Sequence, residues 1–205
     1  MASSSLRIHF YILQIVVWNW EAIVSQQPQR SFMKVDVELI QLLNPQGLLA
    51  NGQRCDTTND CDPSLSIFLD TIRPLMAWPG DKDVSEYTKV FKTSNQNSPI
   101  IHNNVSRIVC GGSINKVNLR VNVVDGDTFS GADLIDNFNC VFSPEMNTIA
   151  NSWELAEWSP TEDCVPLHQS HRVRLLYRYR VYAIPQSECG LQDRTIVKPD
   201  LVDMI

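Results

Sequence analysis

The sequence predicts an all-β protein, an antiparallel sandwich of two sheets with one short helix. Three observations support this class: segments in which apolar and polar residues alternate, turn-forming residues between those segments, and six cysteines in 205 residues. Alternation with period two is typical of a strand with one buried face. Strands of this kind, joined by polar loops, pack as two antiparallel sheets around one core.

Four segments alternate clearly and are predicted as strands: Lys34–Leu39, Leu65–Leu69, Val117–Val123 and Arg172–Ala183. In the third of these, the valines and Leu119 share a face, and Arg120 lies on the opposite, polar face with two asparagines. Turn residues such as Asn51–Gly52 and Trp78–Pro79–Gly80 separate the segments.

The remaining organisation follows from the spacing of these segments. Gly131–Asn137 is predicted as the one short helix, with Leu134 and Ile135 as its apolar residues. One domain is expected over 32–184, followed by an irregular tail over 185–205.

Composition narrows the classes of function. The formal net charge is −6 and apolar residues make up 43% of the chain, which excludes collagen and a long disordered tail. A chain of this size buries roughly 70% of its unfolded surface, enough for one core. The acidic balance argues against nucleic acid as a partner, because nucleic-acid binding needs a basic surface.

The amino-terminal residues 1–25 are typical of a secretory signal peptide. Arg7 precedes an apolar run over 8–18, and Ala22 and Ser25 offer small residues for cleavage. The run is too short to cross a bilayer, which needs about 20 apolar residues. A buried amino-terminal helix is the alternative. We therefore expect a secreted, extracellular protein, located at the cell membrane if the chain is a fragment of an anchored one.

The even number of cysteines suits an oxidising compartment. Cys55 and Cys61 flank a short polar stretch, which suits a small disulfide-bonded loop. The pairing of the other four stays open: Cys110, Cys140, Cys164 and Cys189. Because no Cys-x-x-Cys pair occurs, neither a zinc ribbon nor a thioredoxin-type site is expected.

One glycosylation sequon begins at Asn104.

No catalytic motif is present, and we do not expect an enzyme. The chain has no G-x-S-x-G elbow, no P-loop and no H-E-x-x-H sequence. His168 and His171 lie beside Cys164, but Pro166 predicts a loop there. Solvated histidines and a disulfide cysteine are therefore expected, and not a metal site.

Two groups of charged residues allow more than one interpretation. The arginines of the segment 172–183 have two interpretations. They could form a basic stripe that binds an acidic partner or anionic lipid. Alternatively, they form a solvated sheet face with acidic partners on neighbouring strands, and the negative net charge of the chain favours this second interpretation. Four aspartates follow the strand at 117–123: Asp125, Asp127, Asp133 and Asp136. Clustered loop carboxylates suit Ca²⁺, although aspartate is also a common turn residue.

The order of several segments carries a resemblance to a known family. Residues 37–52 contain an N-x-x-G-x-L-x-N-G turn after a strand, 61–69 form a cysteine-led strand, and 119–125 form a late strand that ends in aspartate. Weaker matches continue to Tyr182. In this order the segments resemble the amino-terminal module of Notch ligands of the Delta, Serrate and Jagged type.

The resemblance implies a C2-type β-sandwich that binds the extracellular region of the Notch receptor. It also implies loop tips that touch membrane lipid and, in some members, calcium bound near Asp125, Asp127 and Asp133. The first small disulfide of the family would fall on Cys55 and Cys61. The alternative is a secreted C2-like domain that binds calcium or phospholipid and has no receptor role.

This sequence departs from the family pattern at several places, among them four cysteines that are not typical of the module and the lack of a cysteine near Trp78–Pro79–Gly80. Phe68 occupies a position where the family usually has a cysteine. The region after Val181 has no recognisable DSL domain and no EGF-like cysteine spacing, although in the family those domains carry much of the receptor contact.

Overall fold

Regular structure in this computed structural model is almost entirely β. The structure describes residues 32–112, 114–126, 132–144, 149–191 and 196–198. Its strands are β1 (Phe32–Leu43), β2 (Pro63–Asp70), β3 (Thr88–Lys92), β4 (Ile100–Cys110), β5 (Val117–Gly126), β6 (Ala132–Phe142), β7 (Glu162–Asp163), β8 (Val165–Pro166), β9 (Arg174–Ala183) and β10 (Ile196–Lys198). Three short 3-10 helices accompany them: Val84–Glu86, Trp153–Leu155 and Gln186–Leu191.

The strands form two five-stranded sheets. The first sheet has the order β10-β4-β1-β9-β7 and the second has the order β3-β2-β5-β6-β8. All the strand pairs within these sheets are antiparallel. The predicted antiparallel β-sandwich is therefore confirmed.

The core lies between the two sheets and uses the alternating residues that the sequence displays. Val35, Val37 and Leu39 of β1 are fully buried, and the inward residues of β5 from Val117 to Val123 are fully buried too. In β1 the register shifts between Leu39 and Gln41. This bulge changes the parity of the strand, so that Leu42 turns inward and extends the core.

The segment Gly131–Asn137 was predicted as a helix, and that prediction is wrong. Residues 132–137 belong to β6, which pairs with β5 along its whole length. A register shift between Val123 and Val124 places an extra residue in β6 at this point. The bulge buries Ile135 beside its sequence neighbours, which breaks the alternation and gives adjacent apolar residues the appearance of a short helix.

The described part of the carboxyl-terminal segment is more ordered than the predicted irregular tail. The 3-10 helix at Gln186–Leu191 carries Cys189, which is disulfide-bonded to Cys110 of β4. β10 then pairs with β4 and forms the edge of the first sheet. The predicted signal peptide at 1–25 lies outside the described residues. Among the helices that the structure describes, none has the length and apolar character to span a membrane.

Candidate functional site

The loop after β2 exposes a group of large apolar side chains at one end of the sandwich. Ile72, Leu75 and Met76 expose 70%, 71% and 42% of their surface, and all three line the same surface depression. Clustered apolar side chains in water are typical of interaction surfaces, whereas single ones need no explanation. We call these three residues the apolar tip.

The backbone of the apolar tip is held by polar side chains of the second sheet. The Asp70 carboxylate accepts hydrogen bonds from the backbone N–H groups of Ile72 at 3.0 Å and Arg73 at 2.9 Å. The amide of Asn118 donates to the carbonyl of Pro74 at 3.0 Å. These bonds fix the loop before any partner arrives, which lowers the entropy cost of docking.

Arg120 completes this support from beneath the loop. Its side chain is fully buried, and its guanidinium donates to the carbonyl of Met76 at 2.7 Å and lies 3.5 Å from the Asp70 carboxylate. A further hydrogen bond of 3.3 Å reaches Asn139 on β6. The sequence placed Arg120 on a polar face of its strand, and the loop that carries the apolar tip covers this face.

Basic side chains flank the apolar tip. Arg73 and Lys116 line the same surface, and no acidic side chain of the described residues lines it. Arg73 forms an ion pair with Asp81 at 2.9 Å, and this hydrogen bond holds the pKa of the Asp81 carboxyl below its usual value. Asp81 therefore offsets the charge of Arg73, and Lys116 is the other basic residue that lines this apolar surface.

A second surface, which we call the aromatic groove, lies on the outer face of the first sheet. Its volume is about 610 Å³. The residues that define it are Asp36, Asn104, Trp153, Trp158, Arg180 and Tyr182. The Arg180 guanidinium lies 4.5 Å from the ring centre of Trp158 and 5.4 Å from that of Trp153, distances at which a cation is attracted to an aromatic face.

Acidic side chains of β1 neutralise the arginine row of β9. Arg180 forms an ion pair with Asp36 at 3.0 Å, and Arg178 forms one with Glu38. Both carboxylates are largely buried. Of the two interpretations of this arginine row, a sheet face with acidic partners on a neighbouring strand is therefore confirmed for these two residues.

Two of the three predicted calcium ligands lie within the described residues. Asp125 and Asp133 face each other on β5 and β6, whereas Asp127 lies outside the described residues. Asp125 is buried and accepts a backbone hydrogen bond at 2.6 Å. In the described residues, the close donor group that includes Asp125 is completed by Cys55 and Cys61, whose sulfurs form a disulfide. Because Ca²⁺ takes 6–8 oxygen ligands, these donors do not fit it, and calcium binding stays a prediction.

Asp136, the fourth aspartate of that group, organises a loop. Its carboxylate accepts four backbone hydrogen bonds of 2.7 to 3.1 Å, donated by Asn137, Leu167, His168 and Gln169. Both His168 and His171 are exposed on this loop. Neither belongs to a close group of metal-binding side chains in the part of the chain that the structure describes.

The six cysteines form three disulfides: Cys55–Cys61, Cys110–Cys189 and Cys140–Cys164. The first closes the small loop before β2, the second ties the carboxyl-terminal segment to β4, and the third joins β6 to the segment between β7 and β8. Three disulfides in a chain of this size suggest an extracellular or secreted protein, because reducing compartments keep thiols free.

Neither the apolar tip nor the tryptophans of the aromatic groove stand out in the sequence. Ile72, Leu75 and Met76 lie between a predicted strand and a predicted turn, where no periodic pattern exists to interpret. The only indication of the apolar tip in the sequence was that apolar residues surround Pro74 outside any predicted strand. Trp153 and Trp158 likewise fall between predicted strands, and two tryptophans in a polar connection were the signal there.

Comparison with known proteins identifies the fold family. No family model matches this chain, and no curated protein matches it. Among solved structures, it is similar to a C2 domain protein from Ramazzottius varieornatus, with a TM-score of 0.70 and 31% identity, covering 77% of this chain and 92% of that chain. The chain belongs to the C2 domain family.

Two other solved structures are less similar to this C2 domain. Human GIVD cytosolic phospholipase A2 has a TM-score of 0.49 and 13% identity, covering 75% of this chain and 17% of that chain. The structure of Drosophila C2-DSL-EGF1 has a TM-score of 0.43 and 15% identity, covering 73% of this chain and 67% of that chain. At these levels of similarity neither structure carries an argument about function.

Proposed function

We propose that this C2 domain is an extracellular recognition module that binds the extracellular region of a Notch-type receptor and takes part in cell–cell communication, without catalysing a reaction. The observation that carries the proposal is the apolar tip, a rigid and exposed apolar surface in a disulfide-bonded domain. The identity of the receptor is supported by the order of the sequence segments that resemble Notch ligands.

The geometry of the apolar tip suits a protein partner. Binding energy in protein interfaces comes mainly from a few anchors that become fully desolvated, with polar residues around them. Ile72 and Leu75 supply such anchors, and Arg73 and Lys116 form a polar rim. A surface this small implies modest affinity, because stable complexes bury about 800 Å² on each partner.

A binding experiment tests the proposal. The secreted chain is titrated against immobilised Notch extracellular repeats, beside the variant Leu75→Asp. We expect micromolar binding by the natural sequence and a loss of about tenfold or more for Leu75→Asp, because a charge would have to be buried at the interface. Ile100→Asp is the matched control, since Ile100 is 65% exposed and lies at the opposite end of the sandwich. Absence of binding by the natural sequence at micromolar concentration overturns the receptor proposal.

Phospholipid binding is the second candidate function, and the basic flank of the apolar tip favours it. Apolar side chains beside Lys116 and beside Arg73, whose pair with Asp81 is exposed to solvent, suit the headgroup region of an anionic membrane surface. Vesicle co-sedimentation with and without anionic lipid, in EDTA and in calcium, tests this function. Leu75→Asp is expected to reduce sedimentation in both buffers. Two results would instead assign membrane contact to the end of the sandwich that carries Asp125 and Asp133. One is sedimentation with vesicles that is lost only in Ile100→Asp, and the other is sedimentation that needs calcium.

A further inference from the structure

The sequon of this chain lies in the floor of the aromatic groove. Asn104 and Ser106 belong to β4 and line the groove, while Val105 between them is buried in the core. The strand alternation therefore directs the asparagine of the sequon outward. Ser106 donates a hydrogen bond to Asp36 at 2.7 Å, which fixes the neighbouring floor of the groove.

The Asn104 side chain has unused hydrogen-bonding capacity. Its amide oxygen is buried and has no hydrogen-bond partner among the described residues. Buried polar atoms are normally paired, and one that is not calls for a ligand, an ion or a water.

The chemistry of the aromatic groove suits carbohydrate. Its volume of about 610 Å³ falls within the range of about 300–1,000 Å³ that is typical of ligand sites. Trp153 is 55% exposed and offers an aromatic ring on which the C–H face of a sugar can pack. Lys34, Glu154 and Glu188 also line the groove and provide charged groups for sugar hydroxyls, which both donate and accept hydrogen bonds.

We propose that Asn104 carries an N-linked glycan whose first sugars lie in the aromatic groove against Trp153. The glycan is transferred in the secretory pathway from a polyprenyl-diphosphate-linked oligosaccharide. The Asn104 amide nitrogen forms a bond to the anomeric carbon and loses one proton, the bond from that carbon to the diphosphate oxygen breaks, and the polyprenyl diphosphate leaves. No oxidant or reductant takes part.

The glycan gives the two surfaces different roles. It covers the outer face of the first sheet and the exposed ring of Trp153, so that this face is closed to protein partners. The apolar tip, which belongs to the second sheet, remains open. The glycan and the proposed receptor binding involve different residues, so a negative result for one leaves the other untouched.

The test uses the chain secreted from eukaryotic cells. Intact mass before and after treatment with an N-glycosidase is expected to show one glycan, which is absent from Asn104→Gln. Trp153→Ala is expected to keep the glycan but to lose its packing, so that the glycosidase removes the glycan from the native protein about tenfold faster. Leu155→Ala is the matched control, because Leu155 belongs to the same 3-10 helix, is also exposed (66%) and does not line this groove.

Two results overturn the proposal. If the natural sequence leaves the cell without a glycan on Asn104, no modification takes place there. If the glycan is released from Trp153→Ala and from the natural sequence at the same rate, it does not lie in the groove. Both measurements remain informative if Asn104→Gln fails to fold, since neither depends on that variant.

Discussion

Gly80 lies directly against the guanidinium of Arg120. A Cβ atom at Gly80 would come within 2.7 Å of Arg120 Nε and 3.1 Å of Cζ, and the φ angle of Gly80 is +91°. Glycine is needed here both for its backbone conformation and for the space that it leaves. The loop that carries the apolar tip can cover Arg120 only because this position has no side chain.

Replacing Gly80 by alanine tests this contact. We expect Gly80→Ala to lower the free energy of unfolding by about 3 kcal/mol, because backbone strain and a steric clash with a buried side chain add together. Gly112→Ala is the control, since Gly112 has a φ of +94° with nothing near its missing Cβ, and its cost is about 1–2 kcal/mol of strain. Equal losses in urea unfolding of the two variants would contradict a specific contact between Gly80 and Arg120.

The ion pair between Arg120 and Asp70 is the second test of the buried support. Both side chains are essentially inaccessible to solvent. Removing one partner of a buried pair leaves an uncompensated charge and typically costs about 3–5 kcal/mol, and we expect this loss for Arg120→Met. The same change at Arg174, whose pair with Asp163 is exposed, is expected to have a much smaller effect, because solvent screens an exposed ion pair. Chemical unfolding of both variants gives the comparison, and similar losses would show that burial does not determine the difference.

Arg120 also shows where prediction from the sequence ends. The alternation in Val117–Val123 predicted β5 and its buried face correctly, because one buried face leaves a local period of two. The opposite face was expected to be solvated. It is covered by the loop after β2, and a contact between residues 44 positions apart, such as that between Met76 and Arg120, leaves no local pattern in the sequence.

The candidate surfaces were harder to predict than the strands for a related reason. The apolar tip and the aromatic groove consist of side chains from loops and from several strands, which only the fold brings together. Motif spacing identified the sequon at Asn104, since a sequon is contiguous. It did not reveal that Trp153 lies on the same groove, or that Asp136 accepts hydrogen bonds from backbone amides of a distant loop.

The role of Asp136 leads to a prediction about loop stability. Asp136→Asn places an amide donor opposite the backbone N–H groups that now bind the carboxylate, and it removes the charge from those hydrogen bonds. We expect a loss of about 3 kcal/mol in the free energy of unfolding. Asp133→Asn, three residues earlier and exposed, is expected to change stability by less than about 0.5 kcal/mol. A stability of Asp136→Asn within error of Asp133→Asn would refute the structural role.

The three disulfides differ in accessibility, and this predicts the order of their reduction. Cys110 is exposed, whereas Cys61, Cys140 and Cys164 are buried. Low concentrations of dithiothreitol should therefore reduce Cys110–Cys189 first, because thiolate attack needs access to a sulfur. Alkylation followed by mass spectrometry identifies the freed cysteines, and limited proteolysis is expected to cut the carboxyl-terminal segment once the bond is open. Earlier alkylation of Cys140 and Cys164 would be the opposite result.

Tyr87 gives the domain a predictable sensitivity to alkaline pH. Burial raises the pKa of Tyr87 to about 12 from an ordinary value of 10.0, and its hydroxyl donates a hydrogen bond to the carbonyl of Pro79. Because the folded state holds this proton more tightly than the unfolded state, the resulting stability is fully present below pH 10.0 and is lost as the pH rises towards 12. The urea midpoint should fall across this interval, and less steeply in Tyr87→Phe. Tyr177 and Tyr182, whose pKa values burial also raises, account for the dependence that remains, and parallel curves for the two proteins would exclude Tyr87 as a contributor.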